Sequence, residues 1–366
     1  MYRLHELGWN DAWESAFGPY RSKGFIPGRI SREVKNSYKV IIETGEVAAR
    51  LSDLLWKAAK NRGMLPAVGD WVALHQKQAA DPFIIMEVLP RQSCFSRKAK
   101  NTFGRNFSKP GSSDEQVISA NVDIVFLVVA LDADYKLRKI ERYLSLISES
   151  RAKAVIILNK ADICGDYEDK VDEVKAICPQ VPVHAISAID AWGTDIIQSY
   201  LNPGLTISLI GSSGVGKSTL INALLGEDLL DVGEIRQADC RGRHTTARRE
   251  MVILPQGGVL IDNPGLRDIK IAGHEESLEQ VFQDIVKLEK QCRFSDCRHD
   301  TEPGCAIKAA IEAGTLDPER LESYHALRSE LASLNIRREQ RRKQEDVRIF
   351  KENRKAGKVS QKYRQF

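Results

Sequence analysis

The chain has 366 residues, 42% of them hydrophobic, and a formal net charge of +4. That length holds two or three domains with sizeable cores, and no segment approaches the ~18–20 uninterrupted apolar residues of a membrane span, so no membrane partner is expected. The small net charge hides an asymmetry: residues 336–366 carry twelve Lys/Arg and four Asp/Glu, a net of +8, so the other residues sum to −4. A basic excess gathered in one tail points to an acidic partner, of which nucleic acid is the commonest.

The first residues, from Met1 to Glu6, show no signal-peptide apolar region. The seven cysteines are an odd number, with three bunched near residue 300. This suits a reducing cytoplasm and a metal site better than a disulfide framework. Trp9, Trp13 and Phe17 recur at helical spacing in residues 1–25. They predict an N-terminal helix that lays an aromatic stripe on the next domain. From residue 28 to 94 the pattern changes to about five short strands, with strands at 40–44, 47–52, 68–74 and 82–90 and one ahead of Lys35. That density predicts a small Greek-key barrel of OB type. Arg97, Lys98, Lys100, Arg105 and Lys109 then lie among Gly104, Pro110 and Gly111, read as a basic linker.

Six apolar strands follow, at 123–130, 154–158, 182–186, 205–210, 251–254 and 258–262, with helices at 137–148, 168–177 and 196–201 between the earlier ones. Alternation of this kind predicts a mostly parallel, doubly wound α/β sheet. Further helices are expected at 276–289, 306–313 and 318–334. The expected division is a helical segment at 1–25, an OB-type barrel with its linker at 26–112, an α/β domain at 113–272, a helical metal-binding domain at 273–335 and a basic tail at 336–366.

The strongest chemical signal is Gly211-Ser212-Ser213-Gly214-Val215-Gly216-Lys217-Ser218, between an apolar strand and a helix that continues through Thr219. This is G-x-x-x-x-G-K-[ST] in its required context. Glycines let the backbone N–H groups crowd round phosphate oxygens, and the helix N-terminus adds a positive dipole end. Lys217 is expected at the β/γ-phosphates and Ser218 on Mg²⁺. Asn159-Lys160-Ala161-Asp162 ends a buried strand. There Asp162 accepts from the N1–H and N2 amino groups of guanine, Asn159 braces the loops, and the Lys160 stem covers the base. Such a site rejects adenine, because its carboxylate would be left unpaired. Ser187 and Ala188 end the next strand, and the Ala188 N–H is placed to reach guanine O6.

Asp262-Asn263-Pro264-Gly265 ends another strand. Asp262 is expected to hold Mg²⁺ through water and the Gly265 N–H to sense the γ-phosphate. The polar stretch 226–249 contains Arg241-Gly242-Arg243-His244-Thr245-Thr246. A switch threonine that reaches Mg²⁺ and the γ-phosphate is expected in it, with Thr246 favoured over Thr245. Leu266 stands where many GTPases place the glutamine that orients the attacking water. Leucine cannot do this, which predicts slow intrinsic hydrolysis and makes His244 the nearest candidate for a catalytic group. The motif order is itself a circular permutation, since N-K-A-D and S-A precede the P-loop. The former chain ends are joined through residues 202–204, and both flanking domains attach near the second switch segment. Cys292, Cys297, His299 and Cys305 make a Cys₃His tetrahedral set with no open position, the pattern of one structural zinc.

In this combination and order, N-K-A-D, G-S-S-G-V-G-K-S, G-R-H-T-T, D-N-P-G, the cysteine–histidine set and the Val68-Gly69-Asp70-Trp71-Val72 stretch resemble the RsgA family, also called YjeQ or YloQ. These are circularly permuted GTPases of small-ribosomal-subunit assembly. The resemblance covers roughly residues 25–330. It implies an OB domain, a GTPase and a zinc domain that bind the maturing small subunit and its rRNA. It also implies GTP hydrolysis stimulated by that subunit late in assembly, with release after hydrolysis. A cytoplasmic monomer that cycles between GTP and GDP is expected. A GTP-dependent switch acting on another RNA or protein is the alternative, and a nucleic-acid-binding module with a merely structural nucleotide site is a third reading.

Overall fold

The computed structural model describes residues 2–34, 37–59, 62–78, 81–98, 115–226, 250–255, 257–262 and 275–363. A 3₁₀ turn over Leu4–Leu7 leads to helix α1 (Asp11–Arg21). Asn10 starts that helix: its Oδ1 accepts from the Ala12 and Trp13 N–H groups, both at 3.1 Å, and so satisfies two donors that a helix N-terminus leaves open. Trp13 and Phe17 are buried. Trp9 lies ahead of the N-cap, outside the helix, and its ring meets Phe17 at 5.7 Å and Trp71 at 4.8 Å, both edge-on.

Strands β1 (Ile26–Val34), β2 (Ser37–Ile42) and β3 (Gly45–Leu51) form an antiparallel meander. Helix α2 (Asp53–Ala58), started by Ser52 Oγ accepting the Leu55 N–H at 3.1 Å, follows β3 and packs Leu55 against the barrel core. Strands β4 (Trp71–His75) and β5 (Phe83–Val88) pair with each other, β5 runs parallel to β3, and β4 returns to β1. This closes a five-strand barrel among the described residues, filled by Ile30, Val40, Val72, Leu74 and Ile85. Closure removes the sheet edges that would invite pairing with other chains. The segment read as a linker begins inside an antiparallel ribbon, β6 (Cys94–Lys98) paired with β7 (Glu115–Ala120). Lys100, Arg105 and Lys109 lie outside the described residues.

Val68-Gly69-Asp70-Trp71 docks the barrel on this ribbon. Val68 bridges Ser119 of β7. Gly69 has φ +94, and a Cβ on it would sit 2.1 Å from Ala120 O, so only glycine fits where the two segments touch. Buried Asp70 takes a bidentate bond from Arg91 at 2.8 and 2.7 Å, and a third from the Ala67 N–H at 2.8 Å. Arg29 is fully buried beside it. Its guanidinium donates to Gly69 O at 3.2 Å, to Asn121 O at 3.0 Å and to Leu7 O, and lies 5.3 Å from the Trp71 ring centroid. Burial pushes this guanidinium down to about 10, while Asp123 and Asp70 favour its charge. It therefore stays ionised at neutral pH.

The α/β domain comprises β8 (Ile124–Ala130), α3 (Leu137–Ser150), β9 (Lys153–Asn159), α4 (Tyr167–Ile177), β10 (Val183–Ile186), α5 (Thr194–Gln198), β11 (Thr206–Ile210), α6 (Lys217–Leu225), β12 (Glu250–Ile253) and β13 (Val259–Asp262). The strand order is β10-β9-β8-β11-β13-β12, parallel except for β12. Period-two alternation sorts β8 between two cores. Val125 and Leu127 pack with Ile140, Leu144 and Ile147 of α3, whereas Phe126 and Val128 pack with Ile197 of α5 and Leu220 and Ile221 of α6. Strand β12 also bridges β1 at Arg32 and Glu250, whose side chains pair at 3.2 Å, so barrel and α/β domain share one run of eleven strands.

The helix expected at 276–289 is two helices, α7 (Glu275–Val281) and α8 (Gln283–Glu289), broken at Phe282. The cause is tertiary: Phe282 is fully buried, and Arg320 lies 4.8 Å from its ring and donates to Val281 O at 3.0 Å. Helix α9 (Ala306–Glu312) follows, and α10 runs unbroken over Pro318–Tyr363. The residues read as a separate tail thus begin inside a helix. Among the described residues four ion pairs fix helix α10 on α3: Arg320–Glu141 at 2.6 Å, Arg138–Glu322 at 2.7 Å, Arg142–Glu330 at 2.9 Å and the looser Arg138–Glu319 at 3.9 Å. No helix among the described residues is long and apolar enough to cross a membrane.

Arg29→Met keeps the apolar stem and removes the donors of Leu7 O and Asn121 O inside a tight junction. Each orphaned buried carbonyl costs about 1–3 kcal/mol, so urea unfolding should show a loss of about 3 kcal/mol or more, with Arg29→Lys recovering only part. A loss below ~1 kcal/mol would show that the junction does not depend on the guanidinium.

Candidate functional site

The carboxyl ends of β8, β9, β10 and β11 lie side by side, the place where open α/β sheets bind ligands. From β11 the chain passes through Gly211, half-buried Ser212, exposed Ser213 and Gly214, and buried Val215 into Gly216 and Lys217, the first residue of α6. Ser218 and Thr219 follow in the first turn of α6, both half-buried. Lys217 Nζ crosses the loop to Gly211 O at 2.9 Å and Ser212 O at 2.6 Å.

Asn159 ends β9 and is buried. Its Nδ2 donates to Val215 O at 2.8 Å and its Oδ1 accepts the Ala188 N–H at 3.0 Å. One amide therefore ties the P-loop to both loops that follow β9 and β10. Gly216 makes room for it: φ is +91, and a Cβ would lie 2.2 Å from Asn159 Nδ2. The sequence reading sends the Ala188 N–H to guanine O6. In the structure that N–H donates to Asn159 Oδ1, which gives a buried amide oxygen its donor. Ser187 Oγ donates to Asp190 Oδ2 at 2.8 Å, and the Ser187 N–H donates to Trp192 O at 3.0 Å.

Lys160 sits in the left-handed region, φ +67, and Asp162 is exposed in the 3₁₀ turn Ala161–Ile163. Lys160 Nζ pairs with Asp132 Oδ2 at 2.8 Å. Sequence reasoning missed Asp132. Its one signal was an acid just beyond the carboxyl end of a buried strand, the same placement as Asp162. Asp262 ends β13 beside Leu209, two residues ahead of Gly211. His244, Thr245, Thr246, Asn263, Pro264, Gly265 and Leu266 lie outside the described residues.

The ligand atoms of Cys292, Cys297, His299 and Cys305 all lie within 4.8 Å of one another. Cys292 Sγ is 3.7 Å from His299 Nδ1 and 4.0 Å from Cys305 Sγ, and Cys305 Sγ is 3.5 Å from His299 Nδ1. A tetrahedral ion about 2.3 Å from each sulfur sets sulfur–sulfur edges of about 3.8 Å, so the spacing fits such an ion. Cys305 caps α9 and accepts the Lys308 N–H at 3.4 Å. Burial pushes its thiol up, but the Lys308 N–H, His299 and Cys297 outweigh that and hold it at about 7. His299 turns its other nitrogen to Glu289 Oε1 at 3.4 Å, and Glu289 is held by Tyr324 at 3.2 Å and Arg328 at 3.1 Å. A carboxylate behind a ligating histidine fixes its ring and tautomer. Glu289 was also missed, although it precedes Cys292 by three residues, one helical turn.

A family model described as RsgA GTPase matches residues 88–272, and one described as 50S ribosome-binding GTPase matches residues 206–342. The small ribosomal subunit biogenesis GTPase RsgA of Methanosarcina acetivorans is 42% identical over 325 residues, which is 89% of this chain and 84% of that protein. The protein of the same description from Opitutus terrae is 42% identical over 339 residues, 90% of each chain. The crystal structure of YjeQ from Thermotoga maritima aligns with TM-score 0.60 and 26% identity, over 84% of this chain and 99% of that one. The structure of YloQ, a circularly permuted GTPase, shares the fold with TM-score 0.57, over 86% of this chain and 96% of that one.

Gly216→Ala would push Asn159 off both its partners. Titration with a fluorescent guanine nucleotide should then show affinity lowered at least about tenfold, the cost of one to two buried hydrogen bonds; unchanged affinity would remove Asn159 as the brace. Glu289→Gln should release metal to a chelator about tenfold more readily, measured by metal analysis after dialysis. Equal retention by wild type and variant would show that Glu289 does not support His299.

Proposed function

The chain belongs to the RsgA family of GTPases, and on that premise we propose that it hydrolyses GTP in the service of small-ribosomal-subunit assembly. The observation that carries this reading is the Asn159 amide, which draws the P-loop, the N-K-A-D loop and the Ser187-Ala188 loop into one cleft. In it Lys217 takes the β/γ-phosphates, Asp162 reads the guanine edge, and the Lys160 stem lies over the ring. Mg²⁺ held by Ser218 and, through water, by Asp262 would offset the negative charge of the phosphates. Thr246 and the Gly265 N–H are assigned to the γ-phosphate. Leu266 leaves the attacking water without its usual glutamine, with His244 the candidate in its place.

The four-ligand cluster is assigned zinc, because three thiolates and an imidazole at tetrahedral spacing suit that ion and leave no open position for catalysis. The ion would tie 292–305 into the helical domain. The barrel, this domain and the basic end of α10 are assigned to the small subunit and its rRNA. Phosphate-rich RNA attracts the basic end in a salt-dependent way.

Strand β12 follows directly on residues 227–249, which include Thr246, and bridges β1 of the barrel. Helix α7 follows on residues 263–274, which include Gly265 and Leu266, and its Gln280 accepts a hydrogen bond from Ser148 of α3. Each exit from the switch region therefore leads to a different flanking domain, which supports coupling of nucleotide state to subunit binding. The cycle proposed is binding in the GTP state, hydrolysis stimulated by the subunit late in assembly, and release with GDP, carried out by a cytoplasmic monomer.

Intrinsic hydrolysis should run at roughly 10⁻⁴ s⁻¹ or below, and small subunits should raise it about tenfold or more. Large subunits are the control, given the match to a 50S-binding model. A GTP analogue should tighten sedimentation with small subunits about fivefold or more over GDP at matched salt. Equal affinity in the two states would overturn the switch reading.

A further inference from the structure

Five non-glycine residues among those described have positive φ, and Lys160 is one of them. An L-residue other than asparagine or aspartate holds that conformation only where its surroundings over-determine it. On its N-terminal side Asn159 is fixed by two side-chain bonds. At its own far end the ammonium is fixed by Asp132 Oδ2 at 2.8 Å. The lysine is therefore held at both ends, and its four-carbon stem has a set course between them.

Asp132 is itself held. Its Oδ1 accepts the Asp134 N–H at 3.0 Å, an Asx turn that fixes the plane of the carboxylate, and Oδ2 is left to Lys160. The Lys160 ammonium holds this carboxyl below its ordinary range, burial opposes, and the Asp134 N–H and Lys139 add to the lowering. Its position is equally defined. The Leu131 N–H donates to Asn159 O at 2.8 Å and extends the β8–β9 ladder by one bond, so Asp132 is the first residue beyond the ladder. Strand β8 also borders β11. Asp132 thus stands on the rim of the cleft, between the P-loop strand and the N-K-A-D strand, yet belongs to neither motif.

We propose that Asp132 is a positioning residue of the nucleotide site: by anchoring the Lys160 ammonium it lays the lysine stem as a pre-ordered apolar cover over the purine ring. This rests on the reading of Asn159–Asp162 as the base-binding loop. A free lysine at a cleft edge samples many rotamers, and ordering it at binding costs affinity; anchoring it beforehand removes that cost. The stem touches the face of the ring, whereas Asp162 reads its edge. The two residues therefore leave different signatures. Losing the anchor weakens all purine diphosphates alike, while changing Asp162 alters which base is preferred.

The test uses the full chain and the affinities of GDP, IDP and XDP. Asp132→Asn can still accept the Asp134 N–H but cannot form the ion pair. Since Asp132 and Lys160 are each about a third exposed, the expected loss is about twofold to fivefold for each nucleotide. The ratio of variant to wild-type affinity should approach one as salt rises, because the wild-type pair is screened. Lys160→Met keeps a stem without an ammonium, and in that background Asp132→Asn should have no further effect. Asp162→Asn run in parallel separates the two levels. If it fails to shift preference from GDP toward XDP, the base-loop reading falls. If it shifts that preference while Asp132→Asn leaves all three affinities unchanged, or acts in full in Lys160→Met, the positioning role alone falls.

Discussion

One buried cation holds three parts of this chain together. The Arg29 guanidinium rises from the barrel's first strand and takes carbonyls from the N-terminal turn at Leu7, the barrel loop at Gly69 and the entry to the α/β domain at Asn121. Few side chains can serve three acceptors in fixed directions, and a lysine in the same place presents only a point charge. Burial of the charge is tolerated because each guanidinium nitrogen has a carbonyl acceptor, the Trp71 ring lies close by, and Asp70 and Asp123 favour the charge. The glycines at the junction follow from the same closeness. Gly8 and Gly204 face each other across the N-terminal turn and the joint at 202–204, and the Gly204 N–H donates to Glu6 O at 3.0 Å. The peptide that joins the former chain ends is thereby pinned by the N-terminal segment.

The chemistry was legible in the sequence wherever it demands particular residue types within one turn or loop. The P-loop, N-K-A-D and the cysteine–histidine set are of that kind, and the alternating cores of β8 follow from continuous apolar runs. Features decided between distant segments were not legible. Asp132 and Lys160 are 28 residues apart and meet only through the β8–β9 pairing. The break at Phe282 depends on Arg320, 38 positions further on. The β6–β7 ribbon was hidden by the basic, glycine-containing segment that it flanks. The bond from the Ala188 N–H to Asn159 was not legible either, because a loop sequence does not say which neighbouring acceptor will take it.

The permutation has a mechanical counterpart on the proposed function. A conventional chain leaves both sides of its switch region inside one domain. Here one side is stitched into a shared sheet through Arg32 and Glu250, and the other enters helices packed on α3. The two routes differ in kind: the first is a backbone bridge between strands, and the second runs through side chains, the ion pairs and buried Arg320 that join α3 and α10.

That distinction matters for the last helix. Beyond Glu330, which pairs with Arg142 of α3, the helix continues for 33 residues to Tyr363, about 50 Å at 1.5 Å per residue. A straight helix of that length would act as a lever about its seam with α3. A tilt of about 5° at the seam would sweep the far end through roughly 4 Å over that helical length. The basic end of the chain would therefore register, as a change of place, an angular adjustment that would be barely visible at its origin.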